Sequence, residues 1–296
     1  MNVRRKQPGP DEVVVSAFYH FTDLDDCALL QQSLFTLGKR VDLSGMVLLA
    51  HEGINATVVG SRQAIDRLYD WLDAEPCFNG MTARESLCTV VPFKRFTVKI
   101  KTEIVRGRMD LPGNFLEGSH VEPEEWDQLL DDPDVLVLDM RNDYEVRMGT
   151  FDGAVNPQLT WFSDIAEWTD KHLDPQTAPR VAMFCTGGIR CEKAAVWFRQ
   201  QGVKEVYQLS GGILNYLDRT ANHTGRWQGD CFVFDHRIAV DHHLRPTYTP
   251  MCCYCQQTME TFQDICPHCH RHIKHKNDNQ LAFVPENKRP TDSSSG

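Results

Sequence analysis

The sequence predicts an α/β protein of three parts, and three patterns in its 296 residues carry that reading. Strand and helix signals run β-α-β-β-α-β through the first hundred residues, which is the order of a ferredoxin-like (acylphosphatase-like) α+β domain. Strands then alternate with helices to about residue 220, implying a parallel sheet with flanking helices. Paired cysteines crowd the C-terminal end, as in a small zinc-knuckle module. The divisions expected are a disordered N-terminus at 1–10, the ferredoxin-like domain at 11–106, the parallel α/β domain at 120–221, an extension at 222–250, a Cys-rich module at 251–276 and a disordered tail at 284–296.

Each element has a local reason. Val13 to Tyr19 is rich in β-formers, and Cys27, Leu30, Leu34 and Leu37 then recur at helical spacing. Met46 to Ala50 and Ile54 to Val59 read as a hairpin around His51-Glu52-Gly53. In that hairpin Glu52 and Asn55 are read first as turn formers. Ile65, Leu68 and Leu72 mark one face of a second helix, and the strand-rich stretch from Cys88 to Val105 is expected to close the domain. Gly107 to Glu122, with Pro112-Gly113 and Gly118, reads as a connector. Beyond it, a helix around Glu124 to Leu130 precedes the apolar strand Val135 to Leu138, with further strands at Val181 to Phe184 and Val206 to Leu209.

The most informative stretch is Cys185-Thr186-Gly187-Gly188-Ile189-Arg190-Cys191, set between the strand ending at Phe184 and a helix expected to open at Ile189. A tight strand-to-helix loop aims its backbone N–H groups and the first helical turn at one point, a nest that favours an anion. Gly187 and Gly188 permit the turn, and Arg190 adds a fixed positive charge. A reactive Cys185 thiol of low pKa follows. In the helix, Ala194, Ala195 and Phe198 face inward, with Glu192, Lys193, Arg199 and Gln200 expected outward. Cys191 is read either as a small helix-start residue or as a resolving thiol for Cys185. Asp139 and Arg141 are expected to support the loop, or to pair with each other at a strand end.

Composition narrows the class. Eleven cysteines form an odd, uneven set unlike a secreted disulfide framework. No apolar run reaches membrane-spanning length, and the basic start Met1 to Lys6 leads into Gln7-Pro8-Gly9-Pro10 rather than an apolar signal core. A cytoplasmic protein with no membrane partner and no obligate protein partner is expected. The net charge of −10 excludes indiscriminate nucleic-acid binding over the whole surface. A local basic stretch with interleaved aromatics at Lys94, Arg95, Phe96 and Lys99 still suits RNA backbone contacts and base stacking, and a second basic cluster runs from Arg271 to Lys276.

At the family level, Asp139-Met140-Arg141, Tyr144-Glu145, Gly149-Thr150, Gly153-Ala154 and Asn156-Pro157, with the Cys185 to Arg190 loop and Ser210-Gly211-Gly212-Ile213, resemble a rhodanese domain over roughly residues 120 to 220. The resemblance gives Cys185 the role of persulfide carrier. Rhodanese-like phosphatases use a loop one residue longer, which argues against phosphate-ester hydrolysis. Adding Ala50 to Ala56 (His51-Glu52-Gly53-Ile54-Asn55) and Cys231-Phe232-Val233-Phe234-Asp235, nearly the whole chain resembles the rhodanese-containing tRNA hydroxylases. Ala56 departs from the pattern, which carries Gly there.

That resemblance implies oxygen-dependent conversion of a wobble uridine of tRNA to 5-hydroxyuridine, with tRNA as partner, molecular oxygen as co-substrate and the loop cysteine required. No flavin, haem or nicotinamide fingerprint accompanies it, so no organic cofactor is expected. Two other readings stand beside it. One is a sulfurtransferase carrying a Cys185 persulfide from thiosulfate to a thiol acceptor. The other is a non-catalytic rhodanese docking module, against which an intact Cys185 and Arg190 count.

Near the C-terminus, Cys252-Cys253-Tyr254-Cys255 and Cys266-Pro267-His268-Cys269 are two C-x-x-C knuckles ten residues apart. Cys252, Cys255, Cys266 and Cys269 can close a tetrahedral structural zinc site, with Cys253 spare. So few apolar residues surround them that the metal would supply much of the module's folding free energy. His268, His270, His272 and His275 are expected to be solvated.

Overall fold

The structure is a computed structural model, and it describes residues 1–109, 111, 119–174, 180–220, 225–247, 249–252, 254, 255, 257–259 and 263–273. Pro112, Gly113 and Gly118 of the expected connector, the spare Cys253, His275, Lys276 and the tail from 284 lie outside the described residues.

The N-terminal domain is a six-stranded sheet. Its elements are β1 (Asn2–Val3), β2 (Val13–Phe21), α1 (Cys27–Arg40), β3 (Ser44–Ala50), β4 (Gly53–Gly60), α2 (Arg62–Ala74), β5 (Thr82–Cys88) and β6 (Phe96–Ile100). Strand order is β1-β5-β2-β4-β3-β6, with an antiparallel ferredoxin-like core β5-β2-β4-β3. The closing strand is therefore Thr82–Cys88, before the stretch expected to supply it. Phe96–Ile100 is instead an added edge strand, parallel to β3. The first ten residues are also ordered, since Asn2–Val3 pairs in parallel with Thr82–Ala83 and the backbone N–H of Lys6 donates to Glu85 at 2.7 Å.

Both helices lie on one face of this sheet. Asp26 caps α1 by accepting from the Leu29 N–H, and Ser61 caps α2 by accepting from Ala64. Strand periodicity of two sends Val14, Ser16 and Phe18 of β2 toward the helices. Val14 and Phe18 join that core, and Ser16 bonds Tyr69 of α2. Val15, Ala17 and Tyr19 take the opposite face, together with Thr82, Arg84 and Ser86, which lie beside them in register. This second face is the one the next domain covers.

The second domain holds β7 (Ser119–Val121), α3 (Pro123–Asp131), β8 (Val135–Asp139), α4 (Asp143–Val146), β9 (Gly149–Phe151), α5 (Ile165–His172), β10 (Arg180–Phe184), α6 (Ile189–Gln200), β11 (Val206–Leu209) and α7 (Gly212–Thr220). Its four-stranded sheet is entirely parallel, in the order β7-β11-β10-β8. The carboxyl ends of central β10 and β8 therefore open on the same side, where such sheets bind ligands.

The extension is part of this domain's core. β12 (Trp227–Gly229) pairs antiparallel with β9, and β13 (Cys231–Phe232) pairs with β14 (Ala239–Val240). Phe151 is 1% exposed and meets the rings of Phe184, Tyr216 and Trp227 edge-on at 4.8, 4.7 and 5.2 Å. One side chain thus joins sheet, helix and extension. Phe151→Ala should cost about 3–5 kcal/mol of unfolding free energy, read as a lowered midpoint in urea, with Phe151→Leu retaining more than half of the loss.

Candidate active site

Cys185 sits where β10 ends and α6 begins, so the loop between them is only four residues long. Two glycines make that turn possible. Gly188, with φ +102, is the residue before the helix. Gly212, with φ +66, packs so tightly under the loop that a Cβ there would stand 2.5 Å from the Cys185 carbonyl oxygen and 2.8 Å from the Gly188 nitrogen. The Gly188 N–H donates to Cys185 Sγ at 3.1 Å. Gly187 has open space beside it, and Ile189 is half-buried.

The thiol itself is wholly buried. Burial alone would raise its pKa, but the Cys191 thiol donating to it, the Arg190 charge and the N–H groups of Arg190 and Gly188 outweigh that, lowering it from 9 to about 6. Cys191 is driven the other way, well above an ordinary thiol, by burial and by the neighbouring Cys185. The loop therefore brings the two sulfurs together, and Cys191 is the proton donor of the pair.

Arg190 does not hang free over the nest. Its guanidinium forks onto Glu145 of α4, with Nη1 to Oε2 at 2.6 Å and Nη2 to Oε1 at 2.9 Å, and rests 5.6 Å from the Phe234 ring centre. Glu145 also accepts from the Thr186 hydroxyl and the Asn142 backbone N–H. Nothing in the sequence marks Glu145 as a site residue beyond the capping-box spacing of Asn142-x-x-Glu145. Asp139 and Arg141 pair with each other at 2.6 Å, wholly buried, and Arg141 also holds the Glu145 and Gly149 carbonyls. Cys231 lies in the same interior, pushed up to about 12 chiefly by burial, and so remains a protonated core thiol.

The first turn of α6 departs most from expectation. Glu192 and Lys193 face inward, 5% and 3% exposed, because the N-terminal domain covers them. Glu192 accepts from the Tyr19 hydroxyl at 3.0 Å and from Gln208 at 3.0 Å, and meets His120 Nε2 at 3.1 Å. Lys193 Nζ reaches Glu52 at 2.8 Å, Glu103 at 2.7 Å and the Val105 carbonyl at 2.9 Å. Glu52 also accepts from the Ile104 N–H, and Asn55 donates to the Ile104 carbonyl. These two residues tie the strand-to-connector segment to the second domain, a role beyond forming a turn. Tyr19 roofs the nest, its hydroxyl 2.7 Å from where a Cβ on Gly188 would stand.

The expected RNA-contacting stretch divides. Lys94, Arg95 and Lys99 are exposed, but Phe96 is 3% exposed and lies under α1, against Gly38, where any larger residue would collide with its ring. Phe96 is a core residue and stacks on no base. The four knuckle cysteines do converge: the Sγ atoms of Cys252, Cys255, Cys266 and Cys269 lie within 4.8 Å of one another. Tetrahedral zinc–thiolate bonds of about 2.3 Å require sulfurs roughly 3.8 Å apart. Cys252–Cys269 and Cys255–Cys266 stand at 3.7 and 3.6 Å, and backbone N–H groups of Tyr254, His268 and Cys269 point at sulfurs. The donor set fits a metal ion. Among the described residues, no helix is long and apolar enough to cross a membrane.

Residues 13–104 match the UPF0176 acylphosphatase like domain, and residues 122–219 match the Rhodanese-like domain. A tRNA uridine(34) hydroxylase of Wolbachia pipientis wMel is 42% identical over 248 residues, covering 84% of this chain and 90% of that protein. One from Acaryochloris marina is 42% identical over 269 residues, covering 88% and 87%. One from a Picosynechococcus species is 40% identical over 268 residues, covering 87% and 90%.

Two measurements check this geometry. Thiolate absorbance near 240 nm, taken as the difference between wild type and Cys185→Ser, should titrate with a midpoint of about 6, present above that pH and lost below it. Cys191→Ala should move the midpoint upward. Glu145→Gln removes the partner of a buried guanidinium and should destabilise the protein by about 3–5 kcal/mol, against little change for the exposed Lys171→Gln.

Proposed function

The chain belongs to the tRNA uridine(34) hydroxylase family, and on that premise we propose that it converts the wobble uridine of tRNA to 5-hydroxyuridine in an oxygen-dependent reaction with Cys185 as the reactive group. The observation that carries the assignment to Cys185 is its position at the centre of the loop, with a depressed pKa and a donor in Cys191. A thiolate held ionised at neutral pH is a strong nucleophile toward an electron-poor pyrimidine ring. Negative charge developing on the ring or on a reacting oxygen is stabilised by the same N–H groups that hold the thiolate. Arg190, oriented by Glu145, supplies the fixed field of that nest. Asp139 and Arg141 act at one remove, by fixing the backbone that carries Glu145.

Substrate has to enter between Tyr19 and the loop, because that contact closes the nest. Lys94, Arg95 and Lys99, exposed on the N-terminal domain, would contribute phosphate contacts on the approach. A tRNA substrate requires a compartment that holds tRNA, and we assign the cytoplasm. We assign zinc to the Cys252, Cys255, Cys266 and Cys269 cluster, where it would serve structurally: all four positions are thiolates, leaving none open for a substrate. Met251, packed against Tyr144, Phe232 and Ile238, anchors the module to the second domain.

Nucleosides of total tRNA from cells whose own copy is replaced by Cys185→Ser should lose 5-hydroxyuridine and its derivatives by mass spectrometry. Unchanged levels, with robust thiosulfate:cyanide sulfur transfer by the purified protein, would favour a sulfurtransferase instead. Purified protein should carry one zinc per chain. Chelation should release it and render the C-terminal module protease-sensitive while the Phe151-centred core keeps its melting transition.

A further inference from the structure

A cavity of about 360 Å³ lies between the two domains, on the face of the N-terminal sheet that meets the back of the cysteine loop. Its walls include Arg84, Ser86, Ser210, Asn215 and Arg219. Arg84 stands on β5 opposite Ala17 of β2, on the same face as Tyr19. It lies directly against Gly211, where a Cβ would come within 2.5 Å of Nη2, and Gly211 precedes the Gly212 that supports Cys185. The cavity therefore adjoins the reactive loop through two consecutive glycines.

Other cations of this cleft are matched. Arg237 forks onto Asp235 and donates to Ser86, Lys6 and Arg4 meet Asp218, and Arg219 meets Glu124. The carboxylate of Glu85 is likewise taken, by Arg62 and the Lys6 N–H. Glu122 and Asp218 also line the cleft and act on Arg84 at longer range, but among the described residues no carboxylate lies within ion-pair distance of it. Among the described residues its Nε is buried without a hydrogen-bond partner, and the one hydrogen bond it makes to them is a 3.5 Å contact to the neighbouring Ala83 carbonyl. Burial accordingly disfavours its charge. A partly buried guanidinium with unused donors gains from an anion that completes it, and its planar fork matches phosphate oxygens.

We propose that this interdomain cleft, beside the cysteine loop, is a phosphate subsite in which Arg84 holds a ribonucleotide phosphate of the bound tRNA. A cavity of this size accepts a single nucleotide, and the Ser210 and Asn215 side chains offer neutral polar groups to its sugar. The assignment rests on the tRNA reading above and adds the group that positions the substrate.

Binding of an anticodon stem-loop RNA to the full chain, followed by fluorescence anisotropy across a salt series, tests it. Arg84→Gln should weaken binding roughly tenfold or more and lower the salt slope by about one; Arg84→Lys, which keeps the charge without the fork, should fall between. Uridine 5′-monophosphate should compete with the RNA for wild type but not for Arg84→Gln, and inorganic phosphate at equal concentration should compete far less. Equal affinity and slope for Arg84→Gln, or equal competition by inorganic phosphate, would overturn the subsite. Unliganded melting curves of both variants separate misfolding from lost contact, and Arg84→Lys carries the comparison if Arg84→Gln does not fold. If Cys185→Ser leaves 5-hydroxyuridine intact while competition still requires Arg84, the hydroxylase reading fails and the subsite stands; the reverse pattern removes only the subsite.

Discussion

One carboxylate organises the reactive loop. Glu145 holds Arg190 in a two-pronged grip, accepts from Thr186 and ties down the Asn142 N–H, so α4 is pinned to the cysteine loop. A buried pair of this kind adds little net stability relative to an apolar replacement, but it admits one arrangement and penalises every other. Arg190 delivers its N–H and its charge to Cys185 from a fixed place, and the depressed thiol follows. The Asp139–Arg141 pair repeats the device one layer deeper, holding the Glu145 and Gly149 carbonyls.

A second constraint is the seam between domains. Lys193 and Glu192 leave the same helical turn and both find partners on the N-terminal side, one through Glu52 and Glu103, the other through Tyr19. Burial of the Glu103 carboxylate opposes its ionisation, yet Lys193 and the Gly107 N–H hold it below the usual carboxylate range. The ferredoxin-like sheet thereby uses both of its faces: one for its own helices, the other as a polar cover over the cysteine loop and the cleft beside it.

What was legible in the sequence follows the range of the forces involved. The cysteine loop could be read because its determinants are local: an apolar strand, two glycines that permit the turn and an arginine within six residues. The four knuckle cysteines were equally plain, since metal geometry imposes its own spacing. The sequence pattern points Glu192 and Lys193 outward because helical periodicity reports the core of their own domain and carries no information about a neighbour's surface. Phe96, set among cations, looked like a stacking residue until Gly38 placed α1 directly on it. The early strand at Asn2–Val3 is two residues long, too short for any pattern, and its pairing depends on the edge that β5 leaves open.

The roof over Cys185 has a chemical consequence. A thiolate at neutral pH is the side chain most readily consumed by peroxides, electrophiles and stray metal ions. Here none of its surface is exposed, so damaging reagent and substrate face the same closed door, the Tyr19–Glu192 contact with the glycine loop beneath it. A large polyanion can use contacts across both domains to open the seam. Access for every reagent, the oxygen co-substrate included, is then tied to opening of that seam, and the nucleophile can stay strongly activated while the seam is closed.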